Sequence, residues 1–497
     1  MIPETLREAT RRFGDSPAFV APAGWEITYT ELDRVSDEAA AGLVARGVGP
    51  GDLVALVLPP GIEYLVSYLA TAKVGAITAG VNDRLAGPER AAILDLAGPA
   101  LVLAGPGLAG GDHRIEEHTP AGALDELLPG LRIPGATPPP LAPDPGRDAA
   151  IVFTSGTTGT PKGAVYTNRQ LAFITDTDVG DAWGTGGRTY NGTSAATLAF
   201  MTKLPGNLRR GGCAFLLERW SASRALALIA SERMTSVGGV PTQLALMLRE
   251  PDFDTHDLSS VRAIVVGGAP ITPGLAEEAR ARFGAPLASR YSCTEAGIGL
   301  GTALDDPEED AVVSVGRPLP GVELAVLDED DRPVPAGEVG AVCLRSLAAM
   351  ARYWNDPEGT RAAFTAGGHI RTGDLGWVDD RGRLRLVGRH KEMYVRGGYN
   401  VYPVEVEAVL STNPAVAGVA IATRPDPVMG EVGVACVVPR DPGAPPSLED
   451  LRAFAADRLA RHKLPEALVV VEALPLTAAQ KVDRRALAAL VDPDRGG

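Results

Sequence analysis

The sequence predicts an α/β protein: a large N-terminal domain with mostly parallel sheets flanked by helices, followed by a small α+β domain. Three observations carry that expectation. Strand-like and helical runs alternate between Leu53 and Leu103, the pattern of parallel strands covered by helices. The texture changes after Gly388, where Arg389 to Gly398 is dense in charge and glycine. A compact helix-and-strand pattern then runs from Pro403 to Val471.

Met1 to Phe13 carries Glu4, Arg7, Glu8, Arg11 and Arg12. It reads as an amphipathic surface helix, because a secretory leader needs an unbroken apolar stretch. Leu53 to Leu58 is strand-like, Glu63 to Lys73 helical, Ala76 to Val81 strand, Pro88 to Leu96 helix and Ala100 to Leu103 strand. The most apolar window, Tyr64 to Val81, is broken by Lys73, Gly75 and Gly80 and falls short of the roughly 20 apolar residues that a membrane span needs. Gly105 to Arg147, with Pro138 to Pro140, reads as surface connection with at most a short helix at Ala123 to Leu128. In the last part, helix is expected over Pro403 to Ser411 and Leu448 to Leu459. Strands are expected over Ala417 to Thr423, Val432 to Val438 and Leu468 to Val471. The domains therefore divide as 1–388 and 389–497.

Composition narrows the function. At 497 residues the chain is too long for one simple core. Its formal net charge of -15 disfavours a nucleic-acid or anionic-membrane binder, both of which need a basic face. The four cysteines, Cys213, Cys293, Cys343 and Cys436, show no CxxC pair, so reduced thiols in a cytoplasmic protein are expected and a zinc site is not. No self-association signal stands out, which leaves homo-oligomerisation open.

One segment carries chemistry. Ile151 to Phe153 form a short apolar strand, and TSGTTGTPKG follows with hydroxyls, glycines and Lys162. Glycines let a backbone approach closely, hydroxyls and N–H groups donate to phosphate oxygens, and the lysine supplies a positive charge. A flexible linker would share the glycines but not the preceding strand or the Pro-Lys-Gly ending. The spacing is not that of a Walker loop.

FTSGTTGTPKG resembles the phosphate-loop signature of the acyl-adenylate-forming superfamily of AMP-dependent synthetases and ligases. That superfamily includes acyl-CoA synthetases, aryl-CoA ligases, firefly luciferase and peptide-synthetase adenylation domains. Further segments match in the family's order: RYSCTEAG from Arg290, ARYWNDPEGT from Ala351, RTGDLGWVDDRGRLRLVGRHKEMYVRGGYNVYPVEVE from Arg371 and LPLTAAQKVDRRAL from Leu474. Together they span nearly the whole chain.

The resemblance implies an ATP-dependent acyl-CoA synthetase that uses magnesium and takes coenzyme A as co-substrate. Thr154, Ser155, Gly156, Thr157, Thr158 and Lys162 would hold the β- and γ-phosphates. Thr294 would donate to the α-phosphate, and Glu295 would hold the metal, a hard cation that favours oxygen ligands. Tyr291, beside Ser292, would lie against adenine, with Gly267, Gly268, Ala269 and Pro270 as a close backbone wall. Read alone, Tyr291 is equally a core residue and VVGGAP a strand-to-helix turn. Asp374 and Arg389 would meet the ribose. Lys481 would bridge the carboxylate and α-phosphate, with Gln480 standing where the family usually has glycine. Lys391 would be the hinge about which a mobile small domain swings. Gly397 and Gly398 would border the pantetheine tunnel, or form a hairpin turn.

The acyl pocket is expected around Asn191, Thr193, Ser194, Val237, Gly239, Cys293 and Gly297. Small residues from Asn191 to Ala196, in place of the family's aromatic-histidine pair, imply space for a bulky apolar acid. Polycyclic, terpenoid, steroid-derived and medium-to-long fatty acids are the expected types. The chain to Gly497 leaves no room for a fused carrier domain, so coenzyme A or a separate carrier protein is the expected acceptor. A non-catalytic adenylate-binding protein is the remaining alternative.

Overall fold

The computed structural model describes residues 1–154, 161–389, 392–477 and 480–492. The central sheet has seven strands in the order Arg352–Tyr353, Lys162–Thr167, Asp148–Thr154, Ile77–Gly80, Leu53–Val57, Leu101–Ala104 and Ile115–Glu117. From Asp148–Thr154 onward the strands pair in parallel, and the first two join antiparallel. The connecting helices Ile62–Val74 and Gly87–Ala97 are those expected from the alternation. Within Gly105 to Arg147 the structure adds the edge strand Ile115–Glu117. Three residues are too few to show a period-2 pattern against a glycine-rich background.

Lys73, which interrupts the most apolar window, is buried. Its ammonium reaches Asp33 Oδ1 at 2.6 Å and Asp37 Oδ1 at 2.7 Å. Paired in this way, a lysine can enter a core that would otherwise exclude it. No helix among the described residues is long and apolar enough to cross a membrane.

A second sheet sets Ser236–Gly239, Ala263–Gly267 and Leu287–Tyr291 in parallel and adds two short antiparallel strands. A third, Glu323–Leu327, Gly340–Arg345, Ile370–Val378 and Leu384–Arg389, is antiparallel throughout. Most of the parallel pairs are joined by helical crossovers; Leu101–Ala104 and Ile115–Glu117 pair in parallel through a connection without a helix.

The small domain has its own core of Tyr394, Val401, Val406, Leu410, Ile421, Ala435 and Leu451, among others. Strands Val416–Asp426 and Gly430–Pro439 form its long hairpin, with Ala467–Val470 alongside. It packs on the large domain through Arg440, paired with Glu278 at 3.3 Å, and Arg249, which donates to the Ala417 carbonyl. Gly274 lies so close that a Cβ there would stand 2.5 Å from the Ser411 carbonyl oxygen.

Candidate active site

The phosphate-loop segment joins the two strands of a hairpin, with Thr154 opposite Lys162 and Phe153 opposite Gly163. A Cβ at Gly163 would meet Ile151 at 2.7 Å, so the glycine permits this pairing. Ser155, Gly156, Thr157 and Thr158 lie outside the described residues, as does Lys391. Lys162 is half-buried; its Nζ lies 4.9 Å over the Tyr353 ring and 3.7 Å from Asp356 Oδ2.

Thr294 and Glu295 follow the strand Leu287–Tyr291 and are held from below. The buried Tyr166 hydroxyl donates to the Thr294 carbonyl at 2.5 Å, and Met350 N donates to the Glu295 carbonyl at 2.8 Å. Gly297 turns the chain at φ +68°, where a Cβ would stand 2.2 Å from the Ala348 carbonyl oxygen. These supports leave the Glu295 side chain near the hairpin, where its Oε1 accepts from the Tyr353 hydroxyl at 2.8 Å. Among the described residues no group of three or more His, Cys, Asp or Glu side chains could hold a metal.

Asp374 and Arg389 face each other across the pair Ile370–Val378 and Leu384–Arg389. The buried Asp374 carboxylate accepts from the Tyr291 hydroxyl at 2.5 Å and from Arg389 Nε at 2.9 Å. An ionised carboxylate has about four lone-pair sites, so acceptor capacity remains for a ligand hydroxyl. Tyr291 is itself buried, and burial together with the Asp374 charge drives its hydroxyl pKa well up. It is therefore a permanent donor to Asp374, a link that the sequence did not suggest.

Lys481 reaches this cleft from the other domain. A Cβ at Gly268 would stand 3.5 Å from Lys481 Cε and 3.7 Å from its Nζ. The side chain is exposed to the cleft, yet the walls are close: lost solvation, then the Arg389 charge, lower its pKa, while Asp374 opposes the shift. Its turn is pinned by Thr477, whose N donates to the Lys481 carbonyl at 2.7 Å. Gln480 adopts φ +60°, the left-handed conformation natural to glycine. Gln480→Gly should therefore raise unfolding free energy by about 0.5–1 kcal/mol, as read by denaturant titration.

Gly267 closes the strand Ala263–Gly267, and a Cβ there would meet the Arg290 carbonyl oxygen at 2.9 Å. Gly268 at φ +81°, Ala269 and Pro270 continue past the strand, half-buried to exposed, as does Ser292 beyond Tyr291. Gly397 and Gly398 turn between Tyr394–Arg396 and Tyr399–Val401 at φ +55° and +86°. The hairpin alone accounts for both glycines.

In the expected acyl region the small residues do not leave open volume. A Cβ at Gly192 would stand 2.3 Å from the Trp220 indole, which fills that side. Asn191 Oδ1 accepts from Thr193 Oγ1 at 3.1 Å, and Ser194 is buried. Val237 and Gly239, with Val240, Leu244, Met247, Ile264 and Val266, border an apolar space too tight for a water molecule. Burial pushes the Cys293 thiol up to about 12, so it stays protonated near neutral pH.

Tyr353, Asp356 and Tyr166 contact the expected site residues but were not among them. For Tyr353 and Asp356 the available signal was the segment ARYWNDPEGT, which belongs to the ordered motif series; Tyr166 had none.

Comparison with known proteins identifies the family. The family model for AMP-binding enzymes matches residues 6–354, and that for their C-terminal domain matches 405–481. The chain is 33% identical over 480 residues to a fatty acid–acyl-carrier-protein ligase, ScoC, of Streptomyces coeruleorubidus, covering 93% of this chain and 91% of that one. It is 32% identical over 524 residues to a methyl-dioxo-octahydro-indenyl propanoyl:CoA ligase of Rhodococcus jostii, covering 98% of each. The crystal structure of ATP-bound MatB from Rhodopseudomonas palustris superposes with a TM-score of 0.88 at 28% identity over 100% of both chains. With a cleft that gathers Lys162, Glu295, Asp374, Arg389 and Lys481 from three sheets and two domains, and with both family models matched in order, the chain belongs to the AMP-binding enzyme family.

Proposed function

We propose that this protein is an AMP-forming acid–thiol ligase. A carboxylate oxygen attacks the α-phosphorus of ATP and pyrophosphate leaves. The thiol sulfur of coenzyme A then attacks the acyl carbon, and AMP leaves. The convergence of Lys481 on Gly268, Asp374 and Arg389 carries this reading, because both reactants are anions and their approach needs a cation at the point of contact.

Thr154 and Lys162, with Ser155, Gly156, Thr157 and Thr158, take the β- and γ-phosphates. Thr294 donates to the α-phosphate. Glu295 holds Mg²⁺, which when bound neutralises phosphate charge. Asp374 accepts from the ribose hydroxyls beside Arg389, Tyr291 backs Asp374, and Gly267 to Pro270 with Ser292 border the base. The domains divide at 388/389 with the hinge near Lys391, and Gly397–Gly398 border the thiol's path. The protonated Cys293 suits a wall rather than a nucleophile.

The acid is apolar and bulky, in the range of a fatty or polycyclic carboxylate. The relatives named above act on a fatty acid and on a bicyclic propanoate, and the lining from Val237 to Val266 is apolar. Trp220, seated against Gly192, is then the side chain that yields when such an acid enters. A carrier-protein thiol is the second acceptor, favoured by the carrier-protein ligase among the relatives.

A panel of carboxylic acids, scored by mass spectrometry for acyl-AMP and acyl-CoA, tests substrate and acceptor together. Acyl-AMP should form from medium-to-long fatty and polycyclic acids ahead of acetate and benzoate, and acyl-CoA should appear once coenzyme A is added. Preference for acetate or benzoate would overturn the substrate class. Acyl-AMP that accumulates unchanged with coenzyme A would overturn the acceptor.

A further inference from the structure

The segment from Ala351 to Asp356 joins two groups that are far apart in the chain. Its strand Arg352–Tyr353 pairs antiparallel with Lys162–Thr167. Ala351 N donates to the Val165 carbonyl at 2.8 Å and Trp354 N to the Gly163 carbonyl at 2.7 Å, which clamps the segment to the strand that bears Lys162. From there the Tyr353 hydroxyl donates to Glu295 Oε1 at 2.8 Å, while Lys162 Nζ lies 4.9 Å above the same ring. Asp356 opens the helix Pro357–Ala363. Its Oδ1 accepts from Gly359 N at 2.7 Å, and its Oδ2 stands 3.7 Å from Lys162 Nζ. Thr360 closes the unit: its hydroxyl donates to the Asp356 carbonyl at 2.7 Å and accepts from Tyr353 N at 3.0 Å.

We propose that Tyr353 is a positioning residue for Glu295 and Lys162, and that Asp356 occupies Lys162 as an anionic placeholder until a nucleotide phosphate displaces it. The proposal rests on reading Lys162 and Glu295 as the phosphate and metal ligands. A phenol that donates to one carboxylate oxygen sets the plane of the carboxylate and spares the lone pairs of the other oxygen for a cation. The ring face meanwhile attracts the ammonium and fixes where it waits. Both side chains of the Lys162–Asp356 pair are more than a third exposed, at 37% and 36%. Such a pair is weak in water. A polyphosphate, with more charge and more acceptor oxygens, takes the lysine from it.

Two conservative variants separate the parts. Tyr353→Phe keeps the ring and removes the donor. Mn²⁺ affinity for the enzyme saturated with α,β-methylene-ATP, measured by electron paramagnetic resonance, should fall about tenfold. Asp356→Asn keeps a helix-capping side chain and removes the charge. Calorimetry with metal-free ATP should show binding about two- to fivefold tighter than wild type. Unchanged Mn²⁺ affinity in the first variant, or unchanged or weaker ATP binding in the second, overturns the proposal. Lys162→Ala and Glu295→Gln are run beside them. If these lose ATP and Mn²⁺ binding respectively while Tyr353→Phe does not change, only the positioning role fails. If they bind both as wild type does, the phosphate and metal reading itself has failed.

Discussion

Lys481→Ala should slow acid-dependent ATP–pyrophosphate exchange by about two to three orders of magnitude, the loss expected when one preorganised charge-stabilising group leaves a reacting centre. The Lys481 ammonium lies against Gly268, and Arg389 is already engaged with Asp374 at 2.9 Å. Thioester formation from synthetic acyl-AMP should be spared, because the ammonium acts on the phosphoryl step and not on the attack of the thiol. Single-turnover measurements of the two halves provide the check, and equal losses in both would refute the assignment. The same lysine sets a pH dependence. Only the protonated form serves, and lost solvation with the Arg389 charge holds its pKa below a lysine's ordinary value. Adenylation should therefore be full on the acid side of that lowered pKa and decline as pH rises through it, earlier than for an unperturbed lysine. The residual rate of Lys481→Ala should lack this alkaline limb.

Asp374→Ala should damage both binding and stability. The wild-type carboxylate is 7% exposed and takes the Tyr291 hydroxyl and Arg389 Nε. Alanine leaves a buried phenol without this acceptor and a guanidinium without its paired carboxylate, with the Glu392 charge still nearby. The loss of unfolding free energy should be about 2–4 kcal/mol, with the smaller share from Arg389 because its side chain is half exposed. If Asp374 also accepts from the ribose, the KM for ATP should rise about 10- to 100-fold through lost charge-assisted hydrogen bonds. Asp374→Asn keeps the size and one acceptor, so it should fall between wild type and alanine on both scales. An ATP KM unchanged in a folded alanine variant would remove Asp374 from the nucleotide site and leave it a purely structural anchor.

Much of the fold can be read directly from the chain. The alternation from Leu53 to Leu103 appears within a residue of the expected ends, and the elements after Pro403 within three: the strand expected to Thr423 runs on to Asp426, and the helix expected to Leu459 ends at Ala456. Most of those elements carry an apolar pattern of their own, and glycine or proline stands near many of their ends. The two-residue strand Arg352–Tyr353 is not legible, since no pattern fits in two residues, and so the bridge from Lys162 to Glu295 stayed hidden. For the run Asn191 to Ala196 the sequence could not show what lies opposite. Small side chains imply volume only if nothing else fills it, and the Trp220 indole lies against Gly192. For Gly397 and Gly398 the local reading as a hairpin turn accounts for the backbone observed.

By itself the sequence determined the chemistry available: a glycine- and hydroxyl-rich turn after an apolar strand, acids at 295 and 374, and lysines at 162 and 481. Those properties belong to single residues and short runs, and they do not depend on where the chain folds. Adjacency does depend on it. The order of strands in a sheet put Tyr353 beside Lys162, and the close packing of two sheets put the Tyr291 hydroxyl on Asp374. Docking of a separately cored domain brought Lys481 to Gly268. Each of these contacts joins groups whose local patterns are silent about each other, so only the tertiary structure could decide which charges share a cleft.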